Sequence, residues 1–220
     1  MVFYMAQHLL VTRPEYDYTT RYISAWAKKY LQLATQKGYA IVDLRHKRAN
    51  RKELESVIKK TKPVFVILNG HGNKDEVTGN DNETLIETNT NAEILADKIT
   101  YALSCQSAKN LGAKVGSYPN TTYIGYKEDF AFVRLEKYGR KPTEDALAGF
   151  FLEPSNAIVI SLIKGHNTGD SFYRGQQEFT KNIQMLLTSK VKSVDSSALR
   201  FLVWDLKHLT LCGDKNKILD

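Results

Sequence analysis

A histidine and a cysteine, two residue types that take part in covalent catalysis, each follow a hydrophobic segment of this sequence. His71 comes shortly after the uninterrupted apolar run 64–68, and Cys105 comes shortly after the largely apolar run 99–103. A cysteine thiolate attacks carbonyl carbons, and an imidazole can take up and return the proton. If the two side chains meet, they supply the nucleophile and the base of covalent catalysis.

The elements around these residues follow the alternation of apolar runs and amphipathic stretches that is typical of an α/β sheet covered by helices. The predicted strands are 6–12, 39–44, 64–68, 99–103 and 121–126, with a small hairpin near 84–87 and a short edge strand at 209–211. The predicted helices are 17–37, 51–60, 143–152, 158–164, 171–187 and 198–204, with one or two helical turns at 91–97.

The apolar run 64–68 has the composition of a central parallel strand that is buried on both faces. In an open α/β sheet, functional side chains gather beyond the carboxyl ends of the strands. If the strands before His71 and Cys105 are neighbours, both side chains overhang the same edge of the sheet. That is the arrangement that a thiol and its base require.

The residues flanking this pair fit the same chemistry. Gly70 and Gly72 allow sharp turns around His71 and leave peptide N–H groups unshielded. The N–H groups of Gly72 and Cys105 are therefore candidates for an oxyanion hole. A helix opening soon after Cys105 would lower the pKa of its thiol through the helix dipole.

Each feature taken alone has a simpler interpretation. A cysteine that ends an apolar strand is more often a core residue, and a histidine between glycines is usually part of a turn. The glycine-rich stretch is not a phosphate loop, because no Gly-Lys-Ser/Thr follows it. The other titratable candidates, which we interpret as structural or surface residues, are His8, His46, His166, His208 and Cys212.

Composition sets the broad class. The 220 residues predict a single domain spanning 1–220, and 42% hydrophobic with 25% charged residues is ordinary for a globular protein. The net charge of +7 is spread over helix-like stretches, which favours a solvated surface over nucleic-acid binding. Two cysteines form neither a disulfide framework nor a metal cluster. We therefore expect no bound metal and a reducing compartment.

The composition of the N-terminus and the shortness of the apolar runs predict a cytoplasmic protein. The N-terminus lacks the charged start and apolar run of a signal peptide. We expect no apolar stretch that approaches the roughly 20 residues of a membrane helix, and hence no membrane association.

Around these motifs the sequence resembles the caspase–gingipain clan of cysteine peptidases, in particular its bacterial gingipain-like and CHAT-type branches. The clan pattern is a hydrophobic block followed by His-Gly, then a second block that ends in the nucleophilic cysteine; residues 64–72 and 99–108 match it. The stretch 84–86 resembles the hairpin of many members, and 209–214 resembles the close of the bacterial branches. The likeness runs from about residue 6 to residue 214.

This resemblance implies a caspase-like three-layer α/β/α sandwich around a mostly parallel sheet. His71 would be the proton-transfer partner and Cys105 the nucleophile of a cysteine endopeptidase, with the amides of Gly72 and Cys105 as oxyanion hole. A third triad member is often absent from the clan, and none is assigned here. The mechanism needs no cofactor. The expected partners are a protein or peptide substrate and a regulatory protein or activating protease.

Three charged residues are candidates for the substrate pocket. Many bacterial relatives that prefer basic residues have Asp two positions before the cysteine, where this chain has Leu103. Glu128 and Asp129 could supply the negative charge instead. Arg13 lies where caspases place an arginine for acidic substrates. The preference therefore stays open.

Two further hypotheses complete the sequence-based interpretation. The lysine-rich polar regions 134–141 and 188–196 resemble processing sites for activation by cleavage. The alternative function is a catalytically inactive caspase-like module that binds partners without cutting them. A basic nucleic-acid-binding domain is a third possibility, which would show strongly salt-dependent binding.

Overall fold

The computed structural model describes residues 6–188 and 196–219. Its strands are β1 (His8–Arg13), β2 (Ala40–Arg45), β3 (Phe65–Asn69), β4 (Glu76–Thr78), β5 (Thr84–Glu87), β6 (Ile99–Leu103), β7 (Thr122–Tyr126) and β8 (Leu209–Gly213). Six of them form one sheet in the order β2-β1-β3-β6-β7-β8, and β4 pairs with β5 in a separate hairpin. All sheet neighbours are parallel except β8, which runs antiparallel to β7.

The sheet is covered by helices on both faces. The α-helices are α1 (Tyr18–Gln36), α2 (Arg51–Thr61), α3 (Asn110–Gly116), α4 (Ala146–Ile163), α5 (Thr168–Thr188) and α6 (Ser196–His208). Helices α1 and α4 pack in one apolar core with β1, β3, β6 and β7, while α2, α3 and the hairpin pack in a second core on the opposite face. A third cluster joins α4, α5 and α6. The predicted α/β architecture around a mostly parallel sheet is confirmed.

Strand β3 shows why the apolar run before His71 is uninterrupted. Phe65 and Ile67 lie in the core of α1 and α4, whereas Val66 and Leu68 lie in the core of α2 and α3. Successive side chains of a strand point to opposite faces, so a strand covered on both faces needs apolar residues at every position. All five residues of β3 are buried.

Helix α4 differs from the sequence-based prediction of two helices separated near Pro154. It runs unbroken through Pro154, which has no N–H to donate to the carbonyl of Phe150. The Asn182 side chain on α5 donates to that carbonyl oxygen instead, at 2.8 Å. A tertiary hydrogen bond thus satisfies the group that the proline leaves without its helical partner.

The prediction that no apolar stretch approaches the length of a membrane helix is wrong for α4. Its 18 residues are long and apolar enough, by length and composition, to cross a membrane. In this structure 67% of that stretch is buried, between α1 and α5. Packing on two sides explains why the helix is apolar around its whole circumference.

Other elements match the predictions to within a few residues, with two exceptions. The strand β4, which the sequence did not predict, pairs with the predicted hairpin strand β5. Most of the predicted processing region 188–196 lies outside the described residues. The other processing region, 134–141, contains only a short 3₁₀ turn, Glu136–Tyr138.

Candidate active site

The register of the sheet places His71 and Cys105 at equivalent positions just beyond the ends of two neighbouring strands. Asn69, the last residue of β3, pairs with Leu103, the last residue of β6. His71 and Cys105 each lie two residues beyond that pair. Because the strands are parallel and adjacent, both residues lie at the same edge of the sheet.

Close backbone packing keeps the two loops together. A Cβ atom on Gly72 would lie 2.7 Å from the carbonyl oxygen of Glu76 and 3.2 Å from that of Cys105. A Cβ atom on Gly70 would lie 1.9 Å from the carbonyl oxygen of Thr78. Glycine is required at both positions because a neighbouring backbone occupies the space of a side chain.

The end of β3 is also tied to β1 and α1. The buried Asn69 side chain donates to the carbonyl oxygen of Thr12 at 2.9 Å and to the hydroxyl of Tyr30 at 3.1 Å. The hydroxyl of Thr12 donates back to the carbonyl of Asn69 at 3.1 Å. These bonds hold the start of the His71 loop against the end of β1.

His71 has a carboxylate partner that sequence reasoning did not assign. Its Nε2 lies 2.6 Å from Oδ2 of Asp17, and the side chains of both residues are 36% exposed. The ring of Tyr16 meets the imidazole edge-on, with ring centroids 6.1 Å apart. With Nε2 bound to Asp17, Nδ1 is the nitrogen left for proton transfer.

Asp17 combines this role with the start of helix α1. Its Oδ1 accepts the N–H of Thr20 at 2.8 Å and forms a capping box, while Oδ2 is kept for His71. Partial burial works to raise the pKa of Asp17, but the hydrogen bonds from Thr20 and His71 outweigh it and lower the pKa. The sequence did hold a signal, because Asp17 follows β1 and the carboxyl end of β1 borders that of β3.

The environment of Cys105 favours the neutral thiol. Its Sγ lies 3.9 Å from the carbonyl oxygen of Phe130, and no hydrogen bond joins it to His71 among the described residues. Burial, reinforced by the charge of Asp129, raises the pKa of this thiol to about 11. The predicted lowering by a helix dipole is wrong, because α3 begins only at Asn110 and burial dominates.

Cys105 lies in a turn, residues 104–108, that is held by hydrogen bonds to β7. The hydroxyl of Ser104 donates to that of Ser107 at 2.7 Å, and the buried Tyr123 hydroxyl donates to Ser107 at 2.9 Å. Gln106 adopts the left-handed conformation with φ of 56°. The N–H of Ala108 donates to the carbonyl of Tyr126 at 3.0 Å. This network attaches the cysteine turn to β7.

The two amides predicted for the oxyanion hole are available. Neither the N–H of Gly72 nor that of Cys105 has a hydrogen-bond partner within the described part of the chain. Unshielded donors of this kind, next to a nucleophile, can stabilise the negative oxygen of a tetrahedral intermediate.

The three candidates for the substrate pocket each form an ion pair or a hydrogen bond with another side chain in this structure. Arg13 is 4% exposed and pairs with Asp43 through its guanidinium. Glu128 pairs with Lys109 at 2.8 Å, and Asp129 accepts from the side chain of Gln106 at 2.9 Å. Glu128 and Asp129 lie beside the turn that contains Cys105. Arg13 lies at the end of β1 and is bound to Asp43 on β2.

The remaining candidates form no second site. Within residues 6–188 and 196–219, no group of three or more His, Cys, Asp or Glu side chains could hold a metal ion. Cys212 and Cys105 are both free thiols. Burial raises the pKa of Cys212, whose Sγ lies 3.9 Å from the carbonyl oxygen of Ala108.

The mostly parallel six-stranded sheet with helices on both faces matches the caspase-like fold of solved cysteine proteinases. The solved structures that match this chain include two of gingipain R. The crystal structure of the Arg-specific cysteine proteinase gingipain R matches with a TM-score of 0.63 and 12% identity, over 97% of this chain and 47% of that one. A complex of the pro- and mature domains of Porphyromonas gingivalis RgpB matches with a TM-score of 0.59 and 10% identity, over 97% and 48%.

No family model and no curated protein sequence matches the chain. The chain spans less than half the length of each of these two solved proteins. At this level of identity the likeness establishes the fold, which is that of cysteine proteinases, and leaves the activity to be argued from the site.

Proposed function

We propose that the protein is a cysteine endopeptidase that hydrolyses peptide bonds through Cys105 and His71, oriented by Asp17. The observation that carries this proposal is the 2.6 Å contact between Asp17 and His71 at the sheet edge where Cys105 also lies. A nucleophile, a base and an acidic group that orients the base are the elements of nucleophilic catalysis in hydrolases.

The proposed reaction uses only groups of this chain. The Asp17 carboxylate holds Nε2–H, so Nδ1 of His71 exchanges the proton that leaves the Cys105 thiol. The thiolate attacks the peptide carbonyl, and the N–H groups of Gly72 and Cys105 stabilise the negative oxygen. His71 protonates the leaving amine, a thioester forms, and water then releases the acid and restores the thiol.

The experiment is a peptide-library digest with the wild-type protein, Cys105→Ala and Cys212→Ser. We expect cleavage by the wild type and by Cys212→Ser, and a loss of at least a thousandfold for Cys105→Ala. Equal cleavage by Cys105→Ala would show that the activity comes from a contaminant. No cleavage by the wild type would contradict the proposal.

An inactive caspase-like interaction module is the second candidate. The raised pKa of Cys105 and its contact with the Phe130 carbonyl favour it, because a neutral, covered thiol is a poor nucleophile. A substrate-like acyloxymethyl ketone probe separates the two. Labelling of Cys105 that is lost in His71→Ala supports the peptidase, and unlabelled Cys105 supports the module.

The finer assignments are part of the proposal. A protein substrate, a regulatory protein partner, a reducing compartment and a place in the gingipain-like or CHAT-type branch are all consistent with a free Cys105 thiol on a caspase-like fold. The neighbour that contains a pro-domain gives one example of a proteinase of this fold with a protein partner.

A further inference from the structure

Nearly all the net positive charge of the chain falls in one segment, residues 45–62. This segment contains eight lysines and arginines and two glutamates, which gives it a net charge of +6. The whole chain has a net charge of +7, so the rest of the chain is close to neutral. The charge is therefore more concentrated than the interpretation of an evenly solvated surface assumes.

The fold turns these charges outward on a single surface, which we name the basic face (residues 45–62). The segment forms the end of β2, the 3₁₀ turn His46–Arg48 and helix α2. Leu54 and Ile58 of α2 are buried in the core below the helix. Lys52 and Lys59 lie seven residues apart, two helical turns, on the side turned away from those leucine and isoleucine side chains, and both are exposed.

The lysines of the basic face have no counterions, whereas its arginines do. Arg45 pairs with Glu15, Arg48 with Glu53 and, at 3.7 Å, Arg51 with Glu87. Five exposed lysines form no ion pair with any residue in the described part of the chain: Lys47, Lys52, Lys59, Lys60 and Lys62. Unneutralised like charges that are held together create a positive potential, which attracts a multiply charged anion.

The other side chains of the basic face show which kind of anion fits it. No large apolar or aromatic side chain of residues 45–62 is exposed. The face therefore lacks the anchor residues of a protein interface, the apolar side of a membrane-bound helix and the aromatic platforms that stack single-stranded bases. A nucleic-acid duplex needs none of these, because it presents repeated phosphate charges and keeps its bases inside.

We propose that the basic face binds double-stranded nucleic acid through its phosphate backbone, without reading the base sequence. A helix of the length of α2, 11 residues, is about 16 Å long, and a duplex presents on the order of ten phosphate charges over that distance. Lysine is a compact charge on a flexible stem, so it contacts phosphates without a fixed geometry. The basic face shares no residue with the candidate active site, and the inference does not depend on the proposed peptidase function.

The test measures the binding of a fluorescent DNA duplex of about 20 base pairs by anisotropy, between about 50 and 200 mM NaCl. With five free lysines on phosphates, we expect the logarithm of the association constant to fall with the logarithm of salt concentration with a slope of about −4. A duplex of the same length and a different sequence should bind within about twofold of the first, because phosphate contacts carry no sequence information.

The triple variant Lys52→Gln/Lys59→Gln/Lys60→Gln removes three of the five charges. Glutamine forms helices about as well as lysine, so the variant should keep the fold, which circular dichroism checks. We expect its affinity at the lowest salt concentration to fall roughly tenfold or more and its slope to fall to about −2.

The matched control removes three exposed lysines that lie outside the basic face: Lys28→Gln/Lys164→Gln/Lys207→Gln. This variant has the same net charge as the first triple variant. Helices α1 and α4, which carry or adjoin two of these lysines, pack on the opposite face of the sheet from α2. The control should bind the duplex within about twofold of the wild type.

Four results would overturn the proposal. These are no binding of the duplex at the lowest salt concentration, a strong dependence on its sequence, an equal loss of affinity in both triple variants, and binding of a polyglutamate peptide of matched charge as tight as that of the duplex. The third result would mean that only net charge matters, and the fourth would indicate an acidic protein partner. If the first triple variant does not fold, the slope of the wild type decides, and binding that does not weaken with salt contradicts the proposal.

Discussion

The two halves of the candidate active site differ in how far they are prepared for chemistry. On the side of β1 and β3, His71 is bound to Asp17 at 2.6 Å, and Asp17 is fixed as the cap of α1. On the side of β6 and β7, Cys105 faces the carbonyl of Phe130, and its pKa is raised to about 11. His71, the proposed base, is oriented, whereas Cys105, the proposed nucleophile, is covered and neutral.

This difference follows from what each half packs against. The His71 loop is held by strands and a helix cap, which are rigid elements with their hydrogen bonds satisfied. The Cys105 side is covered by residues around Phe130 that belong to no helix or strand. Segments without regular structure can move at lower cost, so activation is expected to act on the cysteine half.

The largest expected effect concerns the base half. Asp17→Asn keeps a good helix cap but removes the charge that orients His71, so we expect kcat/KM to fall on the order of a hundredfold. The melting temperature should stay close to that of the wild type, because asparagine caps helices as well as aspartate. Steady-state kinetics and a thermal melt measure the two quantities.

Thr20→Ala is the control for Asp17. It removes the hydroxyl of the capping box and should cost about 1 kcal/mol of stability while leaving kcat unchanged. Wild-type activity in Asp17→Asn would mean that Asp17 only caps the helix. In that case neither His71 nor Cys105 would be held in a state ready for catalysis, and the contrast between the two halves would disappear.

The next effect concerns the reactivity of the nucleophile half. A thiol with a raised pKa carries little thiolate at neutral pH, and its fraction rises with pH towards the pKa of about 11. We expect iodoacetamide to alkylate Cys105 of the free protein roughly twentyfold more slowly at pH 7.5 than a free cysteine, after allowing for the greater nucleophilicity of the more basic thiolate. The rate should rise about tenfold per pH unit up to pH 9.5.

Alkylation is followed by mass spectrometry at Cys105, with Cys212→Ser removing the second thiol. His71→Ala should alkylate at the wild-type rate, because no hydrogen bond joins His71 to the thiol among the described residues. Fast labelling that is independent of pH near neutrality would reveal a thiolate–imidazolium pair. The contrast between the two halves would then be wrong.

The smallest effect concerns the support of the cysteine turn. Ser107→Ala leaves the buried hydroxyls of Ser104 and Tyr123 without their acceptor, so we expect a loss of about 1–2 kcal/mol in the free energy of unfolding. Urea denaturation measures it. The exposed Ser117→Ala should change stability by less than about 0.5 kcal/mol. Equal values for the two variants would show that the Ser107 network does not stabilise the turn.

Local pattern was enough to predict most elements and to place His71 and Cys105 just beyond the ends of two strands. The apolar run 64–68 and the run 99–103 mark buried strands, and a polar residue just beyond such a strand lies at its end whatever the rest of the chain does. Pro154 misled the prediction because its compensation comes from Asn182 on another helix. The sequence of α4 alone does not show that the side chain of Asn182 will bind the carbonyl that Pro154 leaves free.

Asp17 and Asp205 are two further residues whose surroundings local sequence does not specify. Asp17 reads as a helix cap in sequence, and its second partner lies 54 residues away. Asp205 lies in the amphipathic helix α6, where a charged residue ordinarily faces solvent, yet it is fully buried. Burial and pairing are decided by which surfaces meet. The position of Asp17 after β1 marks it as a candidate, but local sequence predicts neither its contact with His71 nor the burial of Asp205.

The sequence by itself determined where most strands and helices form and which residue types follow each strand, because the period of apolar residues and the turn residues act locally. Only the tertiary structure decided that β3 lies beside β6, that Asp17 contacts His71, and that a single peptide lies between Cys105 and Asp205. Those contacts join residues far apart in the chain. Charge and hydrogen bonding depend on distance in space, which sequence order does not specify.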